Sequence, residues 1–298
     1  MRAPSVPVAY LLLALAALFW SGNWVAGRML ADLFPPVALT FWRWVIALAL
    51  LAPIVAPRLW RHRDLLLREW RPVVLLGLLG GGLHNVLQYW GLQYTTATNG
   101  ALLNPLTSIF IILIGAVVLR DPFPRAAALG ACVSLAGALA IVTRLDPQVV
   151  AALRPNPGDL LVIVSLVMLA GYTLALRWRP QGLDPLSFLA CFALVALAPV
   201  GLCYGFEYAA GARIVVNATS MGGLAYIAVF PALLAYLFWN VSVPVVGAAR
   251  AGVFMHLMPM FGSLLSIAFL GETFEAYHAT GMALIFAGLA IAARGKAG

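Results

Sequence analysis

Apolar stretches of about twenty residues, each long enough to cross a bilayer as a helix, recur along the chain between short polar breaks. Their centres fall near residues 17, 46, 82, 108, 132, 168, 195, 231, 258 and 284, which predicts ten helices and leaves little sequence for a further domain. The stretches also repeat. Shifting residues 97–141 by 151 positions lays them without a gap on 248–292, matching Leu119 to Leu270, Asp121 to Glu272, Gly130 to Gly281 and Gly137 to Gly288. A shift of 149 lays residues 18–28 on 167–177, with Gly22 on Gly171 and Arg28 on Arg177. The first apolar run thus has a partner, which a removable leader would lack. Spans one to five recur as six to ten, and because five is odd the second set enters the membrane from the other side. The pattern predicts an all-α integral membrane protein, with ten transmembrane helices forming two inverted five-helix repeats, 1–146 and 147–298, around a central cavity.

Composition sharpens this reading. At 63% hydrophobic and 9% charged, with a mean hydropathy of +0.98, the chain of 298 residues lies outside the range of water-soluble domains. Cys132, Cys191 and Cys203 fall in or beside apolar runs and read as small packing residues, not as a disulfide or metal framework. No cofactor or metal is called for.

Charge assigns an orientation. With a cytoplasmic N-terminus, the inner segments hold thirteen of the eighteen basic residues, among them Arg58, Arg61, Arg63, Arg68, Arg71, Arg120, Arg125 and Arg294. The C-terminus is then cytoplasmic too. The break holding Arg120 and Arg125 has as its repeat partner the break holding Glu272 and Glu275, as expected for matching positions on opposite faces. The net charge of +8 is therefore a topology signal and a contact with anionic lipid, not a nucleic-acid surface.

Polar and aromatic residues concentrate on spans one, three, four, six, eight and nine, whereas spans five and ten are almost wholly Ala, Leu, Ile and Gly and read as scaffold. Polar side chains in hydrocarbon need a wet cavity or a partner. The candidate cavity residues are Trp20, Asn23, Arg43, His84, Asn85, Gln88, Asn104, Tyr172, Trp239, Asn240 and His256; Asn99 and Tyr236 belong to the same polar group. Gly80, Gly81 and Gly82 loosen span three just before His84 and Gln88, which share a helix face. Such a helix can open carbonyls to a ligand, or the glycines can simply admit a neighbouring helix. Arg43 is the one permanent charge within a span: it attracts a substrate carboxylate, or it stacks between Trp42 and Trp44 and snorkels. Trp20 reads as cavity wall or interfacial belt. Pro105, Pro231 and Pro259 mark bends, structural or gating.

These residues carry a resemblance. FWSGNWVAGR in span one, FWRW in span two, YTTATNGALL before span four, LMPMFGSLLSIAFLGETF in span nine and GMALIFAGLAIA in span ten resemble the EamA-like branch of the drug/metabolite transporter superfamily. The first copy departs from the pattern: Asp121 stands where the acid belongs, as an aspartate and not a glutamate, and Pro105 sits sixteen residues before it instead of thirteen. The resemblance implies transport of amino acids or related small metabolites, aromatic ones in one subgroup, mostly outward across a bacterial inner membrane. A proton-coupled drug or metabolite exporter is the alternative; a receptor or an intramembrane enzyme fits less well, since neither HExxH nor G-x-S-x-G is present. The partners expected are a small-molecule substrate and the lipid bilayer, with the oligomeric state left open. All ten acidic residues lie in loops or at span ends, so facilitated diffusion, or weak proton linkage through His84 or His256, is expected.

Overall fold

The computed structural model describes residues 4–95, 100, 103–151, 156–270 and 273–294; Asn99 and Glu272 lie outside them. Among the described residues, with short helices at Arg63–Arg68, Pro147–Ala151 and Ala248–Val253 between them, the ten longest helical stretches follow one another. They are α1 (Val6–Met29), α2 (Pro36–Arg61), α3 (residues 70–94), α4 (Leu106–Val117), α5 (Arg125–Thr143), α6 (Pro157–Trp178), α7 (Pro185–Ala209), α8 (Ala218–Val246), α9 (Leu257–Leu270) and α10 (Ala276–Arg294). Each centre expected from the sequence falls inside one of them. Seven are long and apolar enough to cross a membrane. Of the other three, α4 has 12 residues and α9 has 14, while α3 is interrupted by a change of helical pitch.

Helix starts follow from local chemistry. Pro36, Pro157 and Pro185 stand at the first turns of α2, α6 and α7, where their missing N–H is not needed. Asn156 caps α6 in a reciprocal box with Asp159, and Asn217 does the same for α8 with Ser220. The Asn-Ala-Thr triplet at 217–219 is thus explained as a helix cap. The first turn of α2 is capped from another helix: the Glu207 carboxylate accepts from the backbone N–H of Ala38 at 2.9 Å and of Val37 at 3.3 Å. Arg58 and Asp184, paired at 3.2 Å, tie the other ends of α2 and α7 together.

Packing pairs α3 with α6, α1 with α8, α2 with α7 and α5 with α10. The α5 and α10 pair is the tightest approach. A Cβ on Gly130 would lie 2.4 Å from the Gly288 carbonyl oxygen, and one on Gly137 would lie 2.5 Å from that of Gly281. Residue numbers rise on one helix as they fall on the other, so the two run antiparallel. The 151-residue shift exchanges these two contacts, since it carries Gly130 to Gly281 and Gly137 to Gly288. Outside the spans, Arg177 at the end of α6 makes a two-pronged ion pair with Asp121, at 2.8 and 2.6 Å, and this holds the Asp121 carboxyl below its ordinary range.

Two outcomes follow. Gly130→Ala and Gly281→Ala should each lower the melting temperature in detergent, at a cost of about 1–3 kcal/mol, because a methyl there meets backbone. Gly205→Ala, with nothing within 4 Å, should be neutral or mildly stabilising. Because its folded pKa is lowered, Asp121 contributes stability that is present above the pKa of a free Asp and lost as pH falls through the lowered value. Acid titration of the melting temperature should show that loss in the wild type and lack it in Asp121→Asn.

Candidate functional site

Two π-turns build the centre, Gly77–Leu83 in α3 and Ala228–Ala235 in α8. A shift of 151 lays the first on the second and puts Gly80 on Pro231. In α3 the cause is the glycine run; in α8 it is Pro231, which has no N–H to continue the ladder. Both widen the helix and free carbonyls. Of the two sequence readings, carbonyls open to a ligand or glycines admitting a neighbour, the second describes this packing: Gly77, Gly80 and Gly81 lie against Val195, Tyr172 and Ala196, and the freed carbonyls are taken by side chains. The Gly80 oxygen accepts from the Tyr236 hydroxyl at 2.6 Å and from Asn85 Nδ2 at 2.8 Å. The Gly81 oxygen accepts from Trp44 Nε1 at 2.8 Å, and the Pro231 oxygen accepts from Trp20 Nε1 at 3.2 Å. Gly80 is needed for a second reason: a Cβ there would stand 2.7 Å from the Tyr172 ring.

Beside the π-turn of α3 lies a small cavity of about 20 Å³, room for about one water molecule in this conformation. Asn23, Arg43, His84, Asn85, Gln88 and Asn104 form its polar wall. Trp20, Trp24, Leu169, Met255 and Met258 form the apolar wall, with Tyr236 between the two. Seven residues expected from the sequence are therefore brought together: Trp20, Asn23, Arg43, His84, Asn85, Gln88 and Asn104. Leu169, Met255 and Met258 were not among the candidates, and Trp24 and Tyr236 were marked only as part of the polar and aromatic group on the cavity spans. Two of these had a signal in the repeat, for Tyr236 is the partner of Asn85 and Met255 that of Asn104. The others are apolar residues among many apolar residues.

Arg43 governs the electrostatics. It is 1% exposed, and one terminal nitrogen donates to Asn85 Oδ1 and to the Tyr89 hydroxyl, both at 2.7 Å. Its Cζ lies 5.1 Å from the Trp44 ring centre, and its Nε has no partner. Among the described residues the ion pairs are Arg58 with Asp184, Arg63 with Asp64 and Arg177 with Asp121; none neutralises Arg43. It therefore neither snorkels nor stacks between two tryptophans. Of its neighbours, His84 is held by its Nδ1 against the Ser165 carbonyl at 2.9 Å, and Asn104 donates to the Met258 sulfur at 2.9 Å. Gln88, 4% exposed, has no hydrogen bond among the described residues.

Tyr172, Trp239, Asn240 and His256 lie off the cavity. The Tyr172 hydroxyl bonds to Asn240 Oδ1, and Trp239 donates to Thr173 Oγ1 at 3.3 Å. Tyr172, Phe192 and Tyr236 pack ring against ring, with centres 5.2 to 5.9 Å apart. This cluster fills in the second half what is hollow in the first: the repeat partners of Asn23, Arg43, Asn85 and Gln88 are Tyr172, Phe192, Tyr236 and Trp239. His256 is fully buried as a tie between helices, with Nε2 against Ser108 Oγ at 2.8 Å and the Pro105 carbonyl at 3.0 Å, and Nδ1 against Ser134 Oγ. Of the prolines, Pro231 lies inside a continuing helix at the π-turn of α8. Pro105 is the N-cap of α4. Pro259 follows a helix, Ala248–Val253, and a 3-10 turn, Phe254–His256, that lead directly into α9, so the pitch changes just ahead of the residue that lacks an N–H.

With that geometry established, comparison with known proteins is informative. The family model of the EamA-like transporter family matches twice, at residues 7–143 and 156–294. The chain belongs to the EamA-like transporter family. It is 24% identical to the uncharacterized transporter YyaM of Bacillus subtilis, over 94% of this chain and 92% of that one. It is 25% identical to a probable terminal-alkyne amino-acid exporter of Streptantibioticus cattleyicolor, over 93% of this chain and 90% of that one. A crystal structure with 22% identity superposes with a TM-score of 0.76 over 97% of each chain, which shows the shared fold. As an EamA-like protein with seven long apolar helices, this is a multi-pass membrane transporter.

The two amides on α3 separate structural from ligand-facing roles. Asn85→Leu should cost about 1–3 kcal/mol in detergent melting, because it removes the amide oxygen that accepts from the buried Arg43, while the Gly80 and Gly81 carbonyls keep Tyr236 and Trp44. Gln88→Leu, which breaks no bond within the protein, should melt at or above the wild-type temperature.

Proposed function

We propose that this EamA-like protein exports small amphipathic carboxylates, amino acids or close relatives, across a bacterial inner membrane by alternating access. Arg43 holds the carboxylate. The observation that carries this reading is the buried guanidinium at the cavity, without a carboxylate partner among the described residues. A cation in that position is costly unless an anion or water completes it. The apolar wall of Trp24, Leu169, Met255 and Met258 suits an alkyl or aryl side chain.

The architecture proposed is ten membrane-crossing helices in two inverted repeats, with both termini cytoplasmic. Three observations support it: the coincidence of the two π-turns under the 151-residue shift, the exchange of the two glycine contacts under the same shift, and the basic residues on one set of loops. The cavity has no Asp or Glu in its wall, which supports facilitated diffusion down the substrate gradient.

In proteoliposomes, saturable flux of a carboxylate-bearing metabolite is expected from the wild type, with a loss of about thirtyfold or more in Arg43→Gln. Absence of saturable flux across a panel of amino acids and related acids would refute the reading. In a cysteine-free background, Asp64→Cys and Glu275→Cys should label from opposite faces of intact cells; labelling from one face would remove the inversion.

A further inference from the structure

We infer that the preferred substrate is a monoanion, a carboxylate with an apolar body and no positive charge on its nitrogen, and that the membrane potential drives its export. This rests on the transport reading above and specifies its substrate. The geometry distinguishes a zwitterion from an anion. In an amino acid the ammonium is on the carbon next to the carboxylate, so seating the carboxylate on Arg43 brings the ammonium near the same guanidinium. A site made for zwitterions needs something to oppose that repulsion, and the cavity wall contains no Asp or Glu. The oxygens nearby are neutral, and that of Asn23 is already taken by the Tyr89 hydroxyl at 2.7 Å.

An uncharged nitrogen removes the conflict. An acylated amino group presents an N–H and a carbonyl, which is what a primary amide without a partner can bind from both ends. Gln88 is such an amide: it is 4% exposed, lines the cavity and is free of hydrogen bonds among the described residues. The methionines opposite, Met255 and Met258, adapt to apolar bodies of different shape. The site thus pairs one cation with one anion, one amide with one amide, and an apolar wall with an apolar body.

The electrical consequence follows from net charge. Whether the field acts on the loaded carrier or on the empty one, a full cycle carries one negative charge. A cell interior that is negative therefore pushes this substrate out. The equilibrium ratio is about fiftyfold per 100 mV, the equivalent of about 2.3 kcal/mol per elementary charge, with no ion gradient required. A zwitterion carried by the same route would feel no such force.

Wild-type protein suffices for the test, so no misfolded variant can confuse it. Proteoliposomes are given a potassium diffusion potential of about 100 mV, lumen positive, and three matched pairs are offered: phenylalanine, leucine and methionine, each against its N-acetyl derivative. Protein-free vesicles set the background. The expectation is accumulation of at least one N-acetyl derivative to about fiftyfold, collapsing when the potential is shunted, with the parent amino acids at or below their equilibrium level. Saturable flux of the parents in preference to the derivatives would overturn the inference and leave the transport reading intact. So would derivative flux that ignores the potential and follows an imposed pH gradient. No saturable flux of any of the six would count against the transport reading itself.

Discussion

A backbone carbonyl inside a membrane has no water to fall back on, and the centre of this protein is arranged around that constraint. Each π-turn widens a helix at mid-depth and releases carbonyls that must be recaptured within the fold. The captors are Asn85, Trp44 and Tyr236 around α3 and Trp20 around α8. Because the captors come from α1, α2 and α8 as well as α3, satisfying the carbonyls also fixes how these helices meet. Tyr236 bonds to Gly80 across the halves, and Asn85, its repeat partner, donates to the Tyr236 hydroxyl at 3.2 Å. The carbonyls are thus part of the scaffold, and only side chains remain to contact a ligand.

The same positions serve opposite purposes in the two halves. In the first they carry Asn23, Arg43, Asn85 and Gln88, and the space between them stays open. In the second they carry Tyr172, Phe192, Tyr236 and Trp239, and rings fill the space. One hydrogen bond survives the change in mirrored form: Tyr89 to Asn23 in the first half corresponds to Tyr172 to Asn240 in the second, with tyrosine and asparagine exchanged between helices. A duplicated scaffold can therefore keep its joints while giving up one of two symmetric pockets. The result is a polar cavity beside an aromatic mass of low compressibility, with the guanidinium of Arg43 on the polar side.

Much of this was legible in the sequence. The repeat exposed the order of the helices because long apolar runs and their glycines are strong signals, and Gly130, Gly137, Gly281 and Gly288 proved to be contact points. The polar wall was legible because Asn, Gln, His and Arg stand out in an apolar helix. Tyr172, Trp239, Asn240 and His256 also stood out but lie off the cavity: Tyr172, Trp239 and His256 bond to neighbouring helices, while Asn240 accepts from Tyr172 through Oδ1 and leaves its Nδ2 without a partner among the described residues. A sequence does not say whether a partner is protein or ligand. Met255, Met258 and Leu169 were invisible for the opposite reason, since apolar residues carry no mark of facing a cavity. Pro105 and Pro259 were legible because a proline has no N–H to continue the ladder, and both stand where helical geometry changes, at the N-cap of α4 and just after the 3-10 turn Phe254–His256.

These facts limit how the transporter can be powered. An ion-coupled carrier needs a group that binds and releases a cation as access changes sides, and the acids that might do so lie elsewhere: Asp121 is paired with Arg177, Asp184 with Arg58, and Glu207 caps α2. Of the two histidines at depth, His256 is enclosed by Ser108, Ser134 and the Pro105 carbonyl, away from the cavity. His84 does face the cavity, but one nitrogen is tied to Ser165. A second cation there would lie beside Arg43, and among the described residues the cavity wall holds no Asp or Glu to oppose either. On the reading proposed above, the substrate's own charge is the quantity that links transport to the energy of the membrane.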